Sequence, residues 1–174
     1  KDSHENTFDA QDESDPVIED LEVSLTTLRE ELHVSAENRG SIVGPVVFGD
    51  DGDRVDCSKL GKGGYSVPSI VEPEYLEIRR CTADFLLLVE KGTQWNWLSE
   101  DKFWRRYNCI LLTGNGQPPR GVRRLACRLH EEHRLPVYVL VDNDPWGYYI
   151  YSVVKQGSIN LAFESQRMAI PKAK

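Results

Sequence analysis

A strand-forming run that ends in two carboxylates constrains this chain more than any other feature of its sequence. Residues 137–141 (Val-Tyr-Val-Leu-Val) lead directly into Asp142 and Asp144, and Pro145 and Gly147 then stop the strand. A continuous run of this kind is typical of a strand buried on both faces of a parallel sheet. Because open α/β sheets bind ligands beyond the carboxyl ends of their strands, the two aspartates are predicted to lie at a ligand-binding edge.

A second apolar run, residues 85–89, ends in the same way at Glu90. If the two strands are neighbours, the carboxylates of Glu90, Asp142 and Asp144 converge on one place. Carboxylates that lie close together repel one another unless a cation offsets their charge. Hard carboxylate oxygens of this kind suit Mg²⁺. The sequence therefore predicts a magnesium site made by three acids. The alternative is that these carboxylates cap helices or form ion pairs.

Strand and helix signals alternate from residue 83 onward. The predicted strands cover 83–89, 109–112, 137–141 and 159–163, and the predicted helices cover about 93–106, 119–134 and 146–156. Repeated β-α-β units predict an α/β fold with a mostly parallel sheet, helices on both faces and right-handed crossovers. This α/β domain is expected to span residues 81–174.

The upstream part of the chain has a different pattern. Residues 1–14 are acidic and polar and are predicted to form a flexible lead-in. Ser14, Asp15 and Pro16 signal the start of a helix over about 16–33 with one buried apolar stripe. Residues 46–57 then predict a β-hairpin around a Gly-Asp-Asp-Gly-Asp turn. Residues 15–80 are therefore interpreted as a helix plus a small β segment that links to an upstream domain.

The net charge of −7 is unevenly distributed along the chain. Residues 1–34 hold eleven acids and two bases, a net of −9, so the remaining residues carry +2. An acidic whole therefore does not exclude a basic groove. The apolar runs are too short to span a bilayer, so no membrane partner is expected. Four widely spaced cysteines without a C-x-x-C pair predict free thiols and fit a reducing cytoplasm.

Basic residues near the predicted acidic site are candidates for phosphate contacts. Arg120, Arg123, Arg124 and Arg128 share one face of a helix, and the first two lie near its N-terminus, where backbone N–H groups also favour anions. Lys91 directly follows Glu90. Lys91, Arg120, Arg123 and Arg124 are therefore predicted to bind phosphate groups, and a solvated surface is the alternative.

Three longer strings of residues carry a resemblance to a known family. They are residues 89–92 (Val-Glu-Lys-Gly), 116–121 (Gly-Gln-Pro-Pro-Arg-Gly) and 141–148 (Val-Asp-Asn-Asp-Pro-Trp-Gly-Tyr). They closely resemble the A subunit of archaeal DNA topoisomerase VI, a type IIB enzyme. The resemblance implies a Rossmann-like Toprim domain that is incomplete at its C-terminus. It also implies that Glu90, Asp142 and Asp144 bind Mg²⁺, with Glu90 as a general acid/base as well.

The resemblance further implies an activity and a set of partners. Enzymes of this family make a Mg²⁺-dependent double-strand break in DNA, pass a second duplex through it and reseal the ends. The implied partners are double-stranded DNA, a second A subunit in a homodimer, and a B subunit that binds ATP, in an A₂B₂ assembly. The family's nucleophilic tyrosine lies on an upstream winged-helix domain, so no nucleophile is assigned here and this chain alone is expected to be inactive.

Two other interpretations stay open at this point. One is a different Toprim enzyme, such as a nuclease or a primase. The other is a response-regulator-like signalling domain, which also gathers acids at strand ends around Mg²⁺. Tyr148, Tyr149 and Tyr151 follow the acidic loop and could suggest a nucleophile. Their helical spacing instead favours packing of the helix against the sheet.

Overall fold

A computed structural model of the chain describes residues 11–27, 31, 32, 34, 37–158 and 167–174. The chain divides into two compact units, residues 1–35 and residues 36–174. The first contains α1 (Gln11–Leu25). The second contains, in chain order, β1 (Ser41–Val43), β2 (Val46–Asp50), β3 (Asp53–Asp56), β4 (Tyr65–Ser66), β5 (Leu76–Cys81), β6 (Phe85–Val89), α2 (Gly92–Glu100), α3 (Phe103–Arg106), β7 (Cys109–Thr113), α4 (Arg120–His133), β8 (Val137–Leu140) and α5 (Pro145–Gln156).

The helix α1 differs at both ends from the helix predicted over 16–33. It begins at Gln11, so Pro16 lies inside it rather than in its first turn. It ends at Leu25 because Thr26 adopts a left-handed backbone conformation, with φ at 53°. Its apolar residues Leu21 and Leu25 are exposed, so the predicted buried stripe was wrong for them. The predicted flexible lead-in is helical over residues 11–14, and its residues 1–10 lie outside the described residues.

The main sheet of the second unit has five strands in the order β4-β1-β7-β6-β8. The strand β6 lies between β7 and β8 and is parallel to both. The strands β1 and β4 extend the sheet in antiparallel pairings. The predicted α/β class is therefore confirmed, with a mixed sheet whose antiparallel strands come from residues 41–66. The predicted strand over 159–163 lies outside the described residues.

Helices cover both faces of this sheet, as the alternating pattern predicted. On one face, Leu86, Leu88 and Ile110 share a core with residues of α4 and α5, including Leu125 and Val154. On the other face, Leu87 and Leu111 pack with Trp95 of α2 and Trp104 of α3. The period of two along each strand explains this division, because successive side chains point to opposite faces.

The predicted hairpin is formed by β2 and β3, with Asp51 and Gly52 at its tip. Both tip residues have positive φ, 47° and 86°, as a two-residue turn of this kind requires. The strand β5 completes a three-stranded sheet on the other side of β2. Phe48 and Leu76 of this small sheet belong to the same core as α4. The small sheet thus lies in the second unit together with the main sheet.

None of the described helices is both long enough and apolar enough to cross a membrane. All four cysteines are free thiols, as predicted. Cys57, Cys109 and Cys127 are buried, and Cys81 is partly buried.

Candidate functional site

Three loops meet at the carboxyl edge of the main sheet because β6, β7 and β8 run parallel. Glu90 follows β6, residues 114–119 follow β7, and residues 141–144 follow β8. The backbone N–H of Glu90 donates to the carbonyl of Leu140 at 2.9 Å. The N–H of Gly116 donates to the carbonyl of Glu90 at 2.8 Å. Glu90 is therefore fixed by its backbone at the centre of this edge.

The structure brings Glu90 and Asp142 into direct contact. The backbone N–H of Asp142 donates to Oε2 of Glu90 at 3.0 Å. This contact exists because β6 and β8 are neighbours, with Val89 paired to Leu140 in the last rung of the ladder. The expectation that the two acid-bearing strands lie side by side is therefore confirmed.

Asp144 has a second task at the same edge. It is the N-cap of α5, and its Oδ1 accepts a hydrogen bond from the N–H of Gly147 at 2.7 Å. Pro145 occupies the first turn of this helix, where its missing N–H costs nothing. The alternative interpretation, a helix-capping carboxylate, therefore holds for Asp144 as it is folded here.

Lys91 contributes a positive charge to this group of acids. Its Nζ contacts Oδ2 of Asp142 in an ion pair. The hydrogen bond and charge of Asp142 hold the pKa of Lys91 above its usual value, and Glu90 and Asp144 add to this effect more weakly. About half of the Lys91 side chain is exposed, so this contact is at the surface rather than in the core.

We call Glu90, Asp142 and Asp144 the acid cluster. Their three carboxylates lie at the ends of neighbouring strands, but they do not all point to one spot. Among the described residues, no three His, Cys, Asp or Glu side chains are arranged so that together they could hold a metal ion. Asp142 pairs instead with Lys91, and Asp144 caps α5. The donor chemistry still fits Mg²⁺, because all three are hard oxygen ligands and a cationic group already sits among them.

Two glycines allow the loops of this edge to approach one another closely. A Cβ on Gly147 would overlap the backbone carbonyl oxygen of Asp142. A Cβ on Gly92 would overlap the side-chain oxygen of Asn115. The sequence analysis did not assign these roles, although both glycines directly follow the acid-bearing motifs.

The arginines predicted to share one face of α4 do not form an exposed face. Arg123 and Arg128 are buried. Arg128 donates through Nη1 to the carbonyls of Val71 and Leu76, and its Nε bonds to Glu132 at 2.6 Å. Val71 lies in the loop that leads into β5 and Leu76 is the first residue of that strand, so Arg128 ties the small sheet to α4.

Arg124 is held by Glu72 and the C-terminal segment. Its Nε and Nη2 donate to the two carboxylate oxygens of Glu72 at 3.0 and 3.1 Å, and its Nη1 donates to the carbonyl of Arg167 at 3.2 Å. The guanidinium of Arg167 also pairs with Glu72, at 2.8 Å. Burial raises the pKa of Glu72, but the bond and charge of Arg124, with Arg167 and Arg128, bring it below its usual value. No local signal at residue 72 predicts this partner, because it lies 52 residues away.

The aromatic residues of α5 do not all pack against the sheet. Tyr148 and Tyr149 are exposed, so that expectation was wrong for both. The helix packs instead through Ile150, Val153 and Val154, which are buried. Tyr148 donates to Oδ1 of Asn143, and the partly buried Tyr151 donates to the carbonyl of Ala173. The exposed rings of Trp146 and Tyr149 lie 5.2 Å apart next to the acid cluster, which the sequence analysis did not predict.

Three family models match successive parts of the chain. Residues 85–174 match the Toprim domain of the topoisomerase 6 A subunit/Spo11 family. Residues 36–82 match the all-beta domain in the DNA topoisomerase VI alpha subunit, and residues 3–34 match a type IIB DNA topoisomerase model. The first match includes the whole acid cluster and both arginines that reach Glu72.

Curated relatives match along nearly the whole chain. The A subunit of type 2 DNA topoisomerase 6 from Pyrococcus abyssi is 48% identical over 172 residues, which are 99% of this chain and 44% of the relative. That of Aeropyrum pernix is 46% identical over 98% of the chain and 43% of the relative. The A3 subunit of DNA topoisomerase 6 from Oryza sativa subsp. indica is 41% identical over 96% of the chain and 37% of the relative. The chain thus spans less than half the length of the relatives that it matches.

Proposed function

Since the chain belongs to the topoisomerase 6 A subunit/Spo11 family, with a Toprim domain over residues 85–174, we propose that it is the metal-binding part of a type IIB DNA topoisomerase A subunit. In this proposal the acid cluster takes part in Mg²⁺-dependent cleavage and religation of double-stranded DNA. The single observation that carries it is the contact between Glu90 and Asp142, which joins the two acid-bearing strand ends at one edge of the sheet.

Glu90, Asp142 and Asp144 would hold the Mg²⁺ ion. When bound, such an ion stabilises negative charge that develops on a phosphodiester during transfer. The protein's own contribution is to fix Glu90 by two backbone hydrogen bonds and to hold Asp142 against it. The family resemblance also implies that Glu90 is the general acid/base of religation, and its partly buried carboxylate is compatible with that role.

The DNA backbone is proposed to contact Lys91 and Arg120. Lys91 belongs to the loop of the acid cluster, and Arg120 is the first residue of α4. Arg123 and Arg124 were predicted to make the same kind of contact. Because Arg123 is buried and Arg124 is bonded to Glu72, we expect these two to act on DNA binding only through the fold.

The partners are proposed from the family alone. They are double-stranded DNA, a second A subunit, and a B subunit that binds ATP and completes an A₂B₂ assembly. The proposed location is the cytoplasm. In this proposal the B subunit, rather than this chain, binds ATP.

Metal binding tests the proposal directly. We expect Mg²⁺ or Mn²⁺ at millimolar concentrations to raise the melting temperature of the chain, because a ligand that binds only the folded state stabilises it by mass action. The double substitution Asp142→Asn with Asp144→Asn should abolish this rise.

A matched control removes the same charge elsewhere. Asp51→Asn with Asp53→Asn changes two exposed aspartates with the same spacing at the hairpin tip, and it should keep the metal-dependent rise. If the wild-type chain does not respond to tens of millimolar Mg²⁺ or Mn²⁺, or if both double variants respond equally, the acid cluster is not the metal site.

A further inference from the structure

The ammonium group of Lys91 sits where a metal ion would be attracted. It contacts Oδ2 of Asp142, the carboxylate that also belongs to the proposed metal site. The repulsion among the acids of the cluster is therefore already offset by a cation that the chain itself supplies. A divalent ion that binds Asp142 must compete with this cation.

The side chain of Lys91 can move away from Asp142 while its backbone stays in place. It follows Glu90 directly and is the N-cap of α2, with an extended backbone at φ −82° and ψ 121°. Its side chain makes no capping hydrogen bond to that helix. The flexible lysine stem can therefore swing away from Asp142 without disturbing β6 or α2.

The contact between Lys91 and Asp142 is also of the kind that a stronger ligand replaces easily. The Lys91 side chain is 51% exposed and the Asp142 side chain 32% exposed. Exposed pairs of this type contribute little, because water solvates both ions and the lysine loses conformational freedom. A divalent cation brings twice the charge to the same oxygens.

We propose that Lys91 is the resident counter-ion of the acid cluster and that a bound divalent cation displaces it from Asp142. The displaced ammonium group stays tethered beside the cluster, where it can approach an oxygen of a DNA phosphate. Lys91 is thus a positioning residue that links the binding of metal to the binding of DNA. This inference rests on the proposed metal site.

Binding of Mn²⁺ to variants of the chain, measured by calorimetry, tests the competition. Lys91→Gln should tighten Mn²⁺ binding about two- to fivefold, the range that corresponds to loss of an exposed ion pair. Lys91→Arg keeps the charge and should stay near the wild type. Lys62→Gln is the matched control, because Lys62 forms an exposed ion pair with Glu100 at 3.1 Å, and it should leave the affinity unchanged.

Crystals grown with and without Mn²⁺ show whether the ion displaces Lys91 from Asp142 or whether the charge of Lys91 only weakens metal binding from nearby. Lys91 should contact Asp142 without metal and leave it when Mn²⁺ is bound. A contact that persists beside a bound ion overturns the inference, as does an affinity for Mn²⁺ that Lys91→Gln leaves unchanged or weakens. If neither the wild type nor Lys91→Gln binds Mn²⁺, the proposed metal site itself fails. Binding by Lys91→Gln alone would mean that Lys91 excludes the ion and is not displaced by it, which overturns the inference.

Discussion

Gly147 is the residue on which the shape of the acidic loop most depends. It lies in the first turn of α5, and its N–H bonds to the cap residue Asp144. Any Cβ here would overlap the backbone oxygen of Asp142, which cannot move without shifting one of the proposed metal ligands. The close approach of the loop to the helix therefore requires glycine at this position.

We predict that Gly147→Ala destabilises the chain by about 2 kcal/mol, because overpacking against backbone forces a local shift. This sign is opposite to helix propensity, which favours alanine over glycine by about 1 kcal/mol. Urea denaturation of both proteins measures the difference. Gly63→Ala is the control, since a Cβ on Gly63 meets nothing within 4 Å. A Gly147→Ala variant more stable than the wild type would show that the loop does not hold Asp142 against the helix.

At the residue scale, the sequence identified the acids but not their partners. Glu90 and Asp142 were predictable because each ends an apolar strand, and the parallel pairing of β6 and β8 then places them together. The capping role of Asp144 was open beside its proposed metal role, since an aspartate before a proline is compatible with either. The contact of Lys91 with Asp142 depends on a side-chain rotamer, which no pattern of residue types specifies.

Among the elements, the helix α4 carries arginines that differ in their position and in their contacts. Arg124 makes a two-point contact with Glu72, and each side chain is only 18% exposed. Arg120 is partly buried like Arg124, but it is the first residue of the helix and lies next to the loop of residues 114–119 at the edge that carries the acid cluster. Substitutions at the two positions should therefore have separable effects on stability and on DNA binding.

We predict that Arg124→Ala lowers the free energy of unfolding by about 2–4 kcal/mol at neutral pH, because it leaves Glu72 largely buried with fewer partners. Arg120→Ala should cost less stability than Arg124→Ala, because it leaves the contact between Arg124 and Glu72 in place. It should instead weaken binding to a DNA duplex and lower the slope of log affinity against log salt by about one. Urea denaturation and fluorescence anisotropy measure these effects. An unchanged slope in Arg120→Ala would remove Arg120 from the proposed DNA contact.

The same pair gives the sign of a pH dependence. The pKa of Glu72 is lower in the folded chain than its usual value of 4.5, so its ion pair stabilises the fold above that pH. This stabilisation is lost as the pH falls through the folded pKa. The difference in stability between the wild type and Arg124→Ala should therefore shrink as the pH falls below 4.5 and through the folded pKa, in the same denaturation experiment. A difference that stays constant would argue that the pair is not what Arg124 contributes.

Element positions in the α/β part were predictable because the strands are short apolar runs bounded by charged or turn residues. The helix α4, for example, spans Arg120–His133 where about 119–134 was expected. The helix α1 was misplaced because Ser14, Asp15 and Pro16 form a strong start signal inside a helix that begins at Gln11. The antiparallel pairing of β1 with β7 joins residues about 70 positions apart, and no local pattern contains that information.

For the whole molecule, the second unit joins the small sheet to the Toprim part through charge as well as through the shared core. Glu72 pairs with Arg124 and Arg167 of the Toprim part, and Arg128 donates to the carbonyls of Val71 and Leu76. The edge that carries the acid cluster therefore belongs to a single packed body over residues 36–174. What the chain does with that edge depends on a nucleophile.

The last prediction is that this chain by itself does not cleave DNA. Cleavage by transesterification needs a nucleophile, a metal and a positioned phosphodiester together. The family resemblance places the nucleophilic tyrosine on a winged-helix domain upstream of the Toprim domain, whereas the tyrosines that precede the Toprim part here, Tyr65 and Tyr75, lie in the stretch that matches the all-beta domain. Three tyrosines follow the acid cluster on α5: Tyr148 bonds to Asn143, Tyr151 bonds to the carbonyl of Ala173, and Tyr149 is exposed. With Mg²⁺ and ATP, the chain should leave supercoiled plasmid intact and retain no DNA after denaturation.

A covalent adduct would overturn the assignment, and Tyr148→Phe would be the first variant to make. A longer protein that carries the upstream domain, combined with the B subunit, should cleave the plasmid, and Glu90→Ala in that protein should abolish cleavage.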